Sequence, residues 1–202
     1  FSSTSKYIES ISLNNDGAFI NVISRGKAFT MGNWDGPVYQ HGKEQGVRYK
    51  HIQTLKDNKK VLLCSDEENN EHLEIYSLNS KRINKKLNVK IGRPLYIKRS
   101  PVSDIIAVVN HKHELLLIDI NKDTIKKIDR SKFHPITFNW SPDGNFIAYN
   151  YSQNLYISII KIFDTKTNKK YEVTDPVNID FSPCFDPEGN FLTFLSKRTF
   201  NP

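Results

Sequence analysis

The sequence predicts an all-β fold, a β-propeller arc of about four four-stranded blades, on three observations. A strand–turn–strand unit pivoting on a Pro, Asp and Gly turn recurs at intervals of roughly 40–45 residues, the length of one propeller blade. Each unit continues into an aliphatic strand and then a short lysine-bearing strand. An amphipathic helical period is absent throughout, which leaves alternation and short apolar runs as the dominant pattern.

The clearest unit runs from Ile136 to Tyr149, with two strand-like stretches around Ser141-Pro142-Asp143-Gly144. Proline presets φ in such a turn and glycine accepts a positive φ. The arrangement returns in Phe181 to Leu192 around Ser182-Pro183 and Asp186-Pro187-Glu188-Gly189, and more loosely in Tyr96 to Ala107 around Ser100-Pro101. Asn15-Asp16-Gly17 and Lys56-Asp57-Asn58-Lys59 occupy the same slot upstream, the glycine being lost in the second. Third strands are expected at Leu73 to Leu78, Leu115 to Ile120 and Ile160 to Asp164, and fourth strands at Lys85 to Leu87, Lys126 to Ile128 and Lys170 to Val173. Second strands such as Ile105 to Val109 are apolar at every position, as expected where blades cover both faces. Lysine on the last strand suits an exposed edge. The blades are expected at about 8–45, 46–92, 93–133 and 134–178, with 179–202 opening a further one. A β-sandwich also uses many short strands, but nothing in that architecture repeats strand order and turn chemistry at a fixed interval.

Composition excludes several classes. Of 202 residues, 38% are hydrophobic, 25% charged and two are cysteine, which is the profile of a packed globular chain rather than a disordered or disulfide-stapled one. No apolar run is long enough to cross a bilayer as a helix. Cys64 and Cys184 lie in apolar segments and read as buried free thiols in a reducing, cytoplasmic compartment. The chain opens on Phe1 and stops at Asn201-Pro202 just after a repeat has begun, so a fragment of a longer protein is expected. The net charge of +7 is spread over turns and outer strands, which argues against nucleic acid as the partner.

Catalytic and cofactor motifs are missing. None of the nine glycines is followed two residues later by serine, so there is no G-x-S-x-G nucleophile turn. Glycine-rich phosphate loops are absent too. His111-Lys112-His113 lacks a third ligand nearby and reads as a turn rather than a metal site. Asp66-Glu67-Glu68 with Glu71 lacks the glycine-centred spacing of a calcium loop and reads as an exposed loop. Asp129-Arg130-Ser131 and Asp180-Phe181-Ser182 place carboxylate and hydroxyl close in sequence, but neighbours on a strand point to opposite faces. No catalytic, cofactor or metal residue is therefore assigned. First strands line the axial channel of a propeller, so Arg48, Lys50, Arg93, Lys98 and Arg99 are candidate channel-lining cations that would attract acidic groups such as peptide C-termini.

Several stretches together resemble the tricorn protease family: Ser24 to Phe29, Gly46 to Tyr49, Asn110 to Leu115, Asp129 to Ser131, Trp140 to Gly144, Asp180 to Gly189 and Leu195 to Phe200. The resemblance implies the middle of a seven-bladed propeller, so that the chain forms a partial ring. It further implies a hexameric cytosolic serine protease that degrades oligopeptides, with catalytic residues outside this sequence. The expected role is non-catalytic, gating or routing peptides to a distant active site, with the remaining domains of the parent as partners. The uncovered faces of end blades imply self-association. The alternative is a stand-alone protein-binding propeller of the WD or TolB kind, without protease activity.

Overall fold

The computed structural model describes residues 4–14, 16–67, 70–78, 80 and 82–198. Asn15 of the first turn, Glu68 of the acidic loop and the closing Thr199-Phe200 stretch lie outside the described residues. Among the described residues, apart from 3-10 backbone at Thr4–Tyr7 and at Glu67, every regular element is a strand. Sheet 1 holds β1 (Ile8–Leu13), β2 (Phe19–Ser24), β3 (Lys27–Gly32) and β4 (Val38–His41) in that order. Sheet 2 holds β5 (Tyr49–Thr54), β6 (Lys60–Ser65), β7 (His72–Ser77) and β8 (Ile83–Lys86). Sheet 3 follows with β9 (Pro94–Arg99), β10 (Ile105–Asn110), β11 (Glu114–Asp119) and β12 (Thr124–Arg130). Sheet 4 comprises β13 (Phe138–Trp140), β14 (Phe146–Ser152), β15 (Ser158–Asp164) and β16 (Lys170–Glu172). A last hairpin, β17 (Ile179–Phe185) with β18 (Leu192–Lys197), joins sheet 4 through one parallel pair, Ser158 with Ile179.

Within each sheet all neighbours are antiparallel and consecutive, so each blade is a meander closed by local turns. The three apolar cores lie between successive sheets. Ile23, Tyr49, Val61 and Leu63 fill the space between sheets 1 and 2. Leu62, Cys64, Leu73, Ile106, Val108 and Leu116 fill that between sheets 2 and 3. Ala107, Val109, Leu115, Phe138, Trp140 and Ile147 fill the third, between sheets 3 and 4. The two-residue period of a strand produces this sorting. Along β10, Ile106 and Val108 face one way and Ala107 and Val109 the other. A sandwich would place one core between two sheets; here each inner sheet serves two cores, and the fold is the propeller arc that the repeat predicts.

Second strands are buried on both faces in sheets 2, 3 and 4. Fourth strands are more exposed than a simple alternation implies: β16 is exposed at every residue and β12 at most. They form the outer rim, where most side chains are uncovered, although His41 on β4 and Ile128 on β12 are buried.

The turns explain how the repeat survives the loss of its motif. In the Ser141 turn, Gly144 N–H donates to Ser141 O at 2.9 Å, Phe146 N–H to Ser141 Oγ at 2.8 Å, and Gly144 takes φ +68°. The hydrogen bond from Ser141 also holds the Asp143 carboxyl below its usual range. Asn14 and Asp186 play the part of Ser141 in their blades, accepting from Phe19 N–H at 2.9 Å and Phe191 N–H at 2.7 Å. The structural counterpart of Ser141-Pro142 in the last unit is thus Asp186-Pro187. Ser182-Pro183 sits instead in a bulge within β17, with Ser182 at φ +52°. In sheet 2, Asn58 replaces the glycine at φ +52°, and its Nδ2 donates to Asp16 Oδ2 of the preceding turn at 2.6 Å. In sheet 3, Asp104 accepts Lys56 N–H at 2.8 Å across the sheet boundary. Where the local turn chemistry has decayed, a hydrogen bond to the neighbouring turn takes over.

Cys64 is buried and its thiol is pushed up to about 12 by desolvation. Cys184, expected to be buried as well, is exposed. It lies on the final hairpin, whose outer face has no further sheet against it. Both thiols are free. Among the described residues no helix is long and apolar enough to cross a membrane.

Candidate functional site

First strands of successive sheets stand side by side, β1 against β5 and β5 against β9. Their exposed faces form a trough of about 390 Å³. Polar and cationic side chains line it, among them Ser10, Ser12, Lys50, His51, Gln53 and Lys98. Further along the same wall, β9, β13 and β17 border a second recess of about 510 Å³ that is largely apolar, with Leu95, Tyr96, Ile136, Phe138 and Pro183. The inner surface therefore changes character along the arc, polar at sheets 1 to 3 and apolar from sheet 3 onward.

The five candidate cations do not share one site. Lys50, Lys98 and Arg99 reach the trough. Lys50 is ion-paired with Glu71, whose side chain is largely buried. The acidic segment expected to be an exposed loop is therefore partly packed: Glu71 pairs with Lys50, Glu67 with Lys43, and Asp66 accepts Arg48 N–H at 2.8 Å. Arg99 is only 7% exposed. Its guanidinium donates to Thr54 O at 2.9 Å, Ser100 O at 2.7 Å and Ser103 O at 3.0 Å. It fastens sheet 2 to sheet 3, and burial lowers its pKa from the usual arginine value. Arg48 pairs at 3.2 Å with Glu9, which itself borders the trough. Arg93 lies outside the trough beside a cavity of about 1010 Å³ between sheets 2 and 3, which Lys50, His72 and Glu114 also border.

Two buried polar chains escaped sequence reading. In the first, Asn21 Nδ2 donates to Thr54 Oγ1 at 2.7 Å, Thr30 Oγ1 donates to Asn21 Oδ1 at 2.8 Å, and His41 Nε2 meets Thr30 Oγ1 at 2.9 Å. Because the Thr30 hydroxyl gives its proton to Asn21, His41 Nε2–H donates to Thr30 Oγ1 rather than acting as its base, and both residues are fully buried. Desolvation lowers the His41 pKa to about 4, so the ring is neutral. In the second chain, Tyr76 Oη donates to Glu74 Oε2 at 2.7 Å, His72 Nε2 meets Glu74 Oε1 at 2.7 Å, and Tyr49 Oη lies 3.4 Å from Tyr76 Oη. Burial pushes the Tyr76 phenol far above its usual range. His72, Glu74 and Tyr76 alternate along β7, and this run of polar residues at period two in an otherwise aliphatic strand was the available signal. Asp129, one of the acids beside a serine, accepts Tyr149 Oη at 2.9 Å and pairs with Lys170 at 3.3 Å. The role of both chains and of Asp129 is to satisfy buried polar atoms, which the fold cannot leave unpaired. Among the described residues, no group of three His, Cys, Asp or Glu side chains is placed to hold a metal ion.

Comparisons with known proteins agree with this architecture. Residues 8–202 match the family model for the tricorn protease second beta propeller domain. A tricorn-like protease C-terminal subunit of Sulfurisphaera tokodaii is 37% identical over 185 residues, covering 91% of this chain and 21% of that protein. A tricorn protease homolog of Saccharolobus solfataricus is 36% identical over 188 residues, covering 93% of this chain and 17% of that protein. The chain thus spans about a fifth of the length of these relatives. The crystal structure of the tricorn protease superposes over 98% of this chain and 20% of its own, with a TM-score of 0.83 at 25% identity. A TolB structure from Agrobacterium tumefaciens shares the fold alone, with a TM-score of 0.63 at 14% identity over 94% of this chain and 70% of its own. With its four meander sheets, their interleaved cores and a match running from residue 8 to 202, the chain belongs to the tricorn protease second β-propeller domain family.

Proposed function

We propose that this chain is the non-catalytic propeller segment of a cytosolic, tricorn-like serine protease that degrades oligopeptides, and that it gates or routes peptides toward an active site carried elsewhere in the parent. The observation that carries this reading is the match of residues 8–202 to a propeller domain rather than to a catalytic one. The trough along β1, β5 and β9 supports it: the polar and cationic side chains that line it can attract or reject a passing peptide. On the same reading the blades occupy 8–45, 46–92, 93–133 and 134–178, with 179–202 opening the next. Partners are peptides, the remaining domains of the parent, and a second copy when the chain is isolated.

Fluorogenic peptides offered to the purified chain and to the longer parent test the assignment. The parent should turn them over and lose that activity to serine-directed reagents, while the chain alone should be inert. Turnover by the chain, abolished by the same reagents, would overturn the non-catalytic role. A parent without peptidase activity would overturn the protease reading and leave a binding propeller.

A further inference from the structure

The connection face of sheet 3, away from the trough, carries a recess of about 610 Å³ bounded by His111, Lys112, His113, Arg130, Ser131 and Lys132. Two short segments build it. The turn between β10 and β11 closes with His113 N–H donating to Asn110 O at 2.9 Å, and His113 takes φ +57°. Asn110 Oδ1 accepts Lys112 N–H at 3.0 Å and Glu114 N–H at 3.2 Å, which sets the turn's shape. The segment after β12 is then tied to it by Ser131 N–H donating to His113 O at 3.0 Å.

The charges in the recess lack direct ion-pair partners, although Glu114 attracts Lys112 through space. Among the described residues, Lys112, Arg130 and Lys132 have no carboxylate at ion-pairing distance. The acids on the adjoining strands are engaged elsewhere: Glu114 with Asn110 Nδ2 at 2.9 Å and Lys127 at 3.5 Å, Asp129 with Tyr149 and Lys170. His111 Nδ1 accepts Arg93 N–H at 3.1 Å, which leaves the proton of the neutral ring on Nε2 as a donor. Ser131 is 1% exposed, and its Oγ has no hydrogen-bond partner. A buried hydroxyl without a partner costs about 1–3 kcal/mol, so its persistence at the wall of a cationic recess points to an acceptor that arrives from outside.

We propose that this recess binds a phosphoryl group. Three permanent cations and the His111 N–H border one space, with the buried Ser131 hydroxyl at its wall, and no carboxylate lines it. A carboxylate offers two oxygens and one charge; a phosphoryl group offers three oxygens and nearly two charges, and so matches the donors better. The site is separate from the trough and does not depend on the peptide-routing role.

The intact chain, labelled with 15N, is titrated with inorganic phosphate, with O-phosphoserine and with acetate at constant ionic strength. Saturable shifts at the amides of residues 111–113 and 130–132 are expected with one or both phosphates. Tighter binding of inorganic phosphate identifies a free anion as the ligand, and tighter O-phosphoserine a phosphate ester; either supports the proposal. Equal affinity for acetate, or shifts without saturation, overturns it. Ser131→Ala and Lys132→Gln should each weaken phosphate binding about tenfold without lowering the melting temperature at the exposed Lys132 position. Unchanged affinity in Lys132→Gln overturns the site even where Ser131→Ala folds poorly.

Discussion

His41 shows what burial does to a single side chain. Its ring sits in sheet 1 against Thr30, with Nδ1 unpartnered, and only the neutral form is tolerated. The ordinary pKa of 6.5 falls to about 4 in the fold. Between those values the unfolded chain binds a proton that the folded chain refuses. Stability is therefore complete above about pH 6.5 and declines as the pH drops toward 4, by about 3 kcal/mol in all. Urea midpoints measured at pH 7.5, 5.5 and 4.5 should fall across this window, and His41→Gln should flatten that part of the profile. An equal decline in the variant would assign the effect to other groups. Arg99 teaches the complementary lesson about legibility. Its place on a first strand, β9, was readable from the repeat. That its guanidinium turns back onto Thr54, Ser100 and Ser103 carbonyls was not, since the acceptors belong to backbone groups whose positions emerge only after the sheets stack.

At the level of hairpins, the Ser141 turn carries the clearest local requirement. Gly144 adopts φ +68°, and a Cβ there would lie 2.6 Å from Val102 Cγ2 and 2.8 Å from Ser100 Oγ of the adjacent turn. Gly17 has the same backbone conformation at φ +70° with open space around it. Gly17→Ala should therefore cost the strain of a left-handed alanine, about 1 kcal/mol. Gly144→Ala adds the collision and should cost measurably more, about 2–3 kcal/mol. Chemical denaturation of the two variants checks the ranking; equal losses would mean that the neighbouring turn yields freely. The hairpins were readable because proline, glycine and apolar strands act locally. Cys184 was misjudged because an apolar neighbourhood in sequence does not say whether another sheet covers the strand. The buried Asn21–Thr30–His41 chain was missed for a related reason, since it is assembled across β2, β3 and β4 and no single strand announces its partners. The His72–Glu74–Tyr76 chain, by contrast, lies along β7, and its polar period of two was there to be read.

For the isolated chain as a whole, association is expected to start from the two end faces of the arc. Ile11 and Leu13 on β1 are each 60% exposed, and Phe191, Phe194 and Leu195 around β18 are exposed as well. Interior sheets hide the equivalent surfaces against a neighbour, and apolar patches left open drive association. Light scattering on the isolated chain should give a mass that grows with concentration, and Ile11→Lys combined with Leu13→Lys should reduce that growth. A stable monomer at high concentration would sink this expectation.

Sheet 3 illustrates what the sorting of side chains entails. Successive residues of β10 answer to different neighbours, Ile106 and Val108 on one side, Ala107 and Val109 on the other. Such a molecule has no centre. Its cohesion is a series of adjoining seams, each felt mainly by the two sheets that share it. Amide exchange should accordingly be slowest in sheets 2 and 3 and quicken toward β1 and β18. Damage to one seam weakens the pair of blades beside it and leaves the far end of the arc nearly untouched.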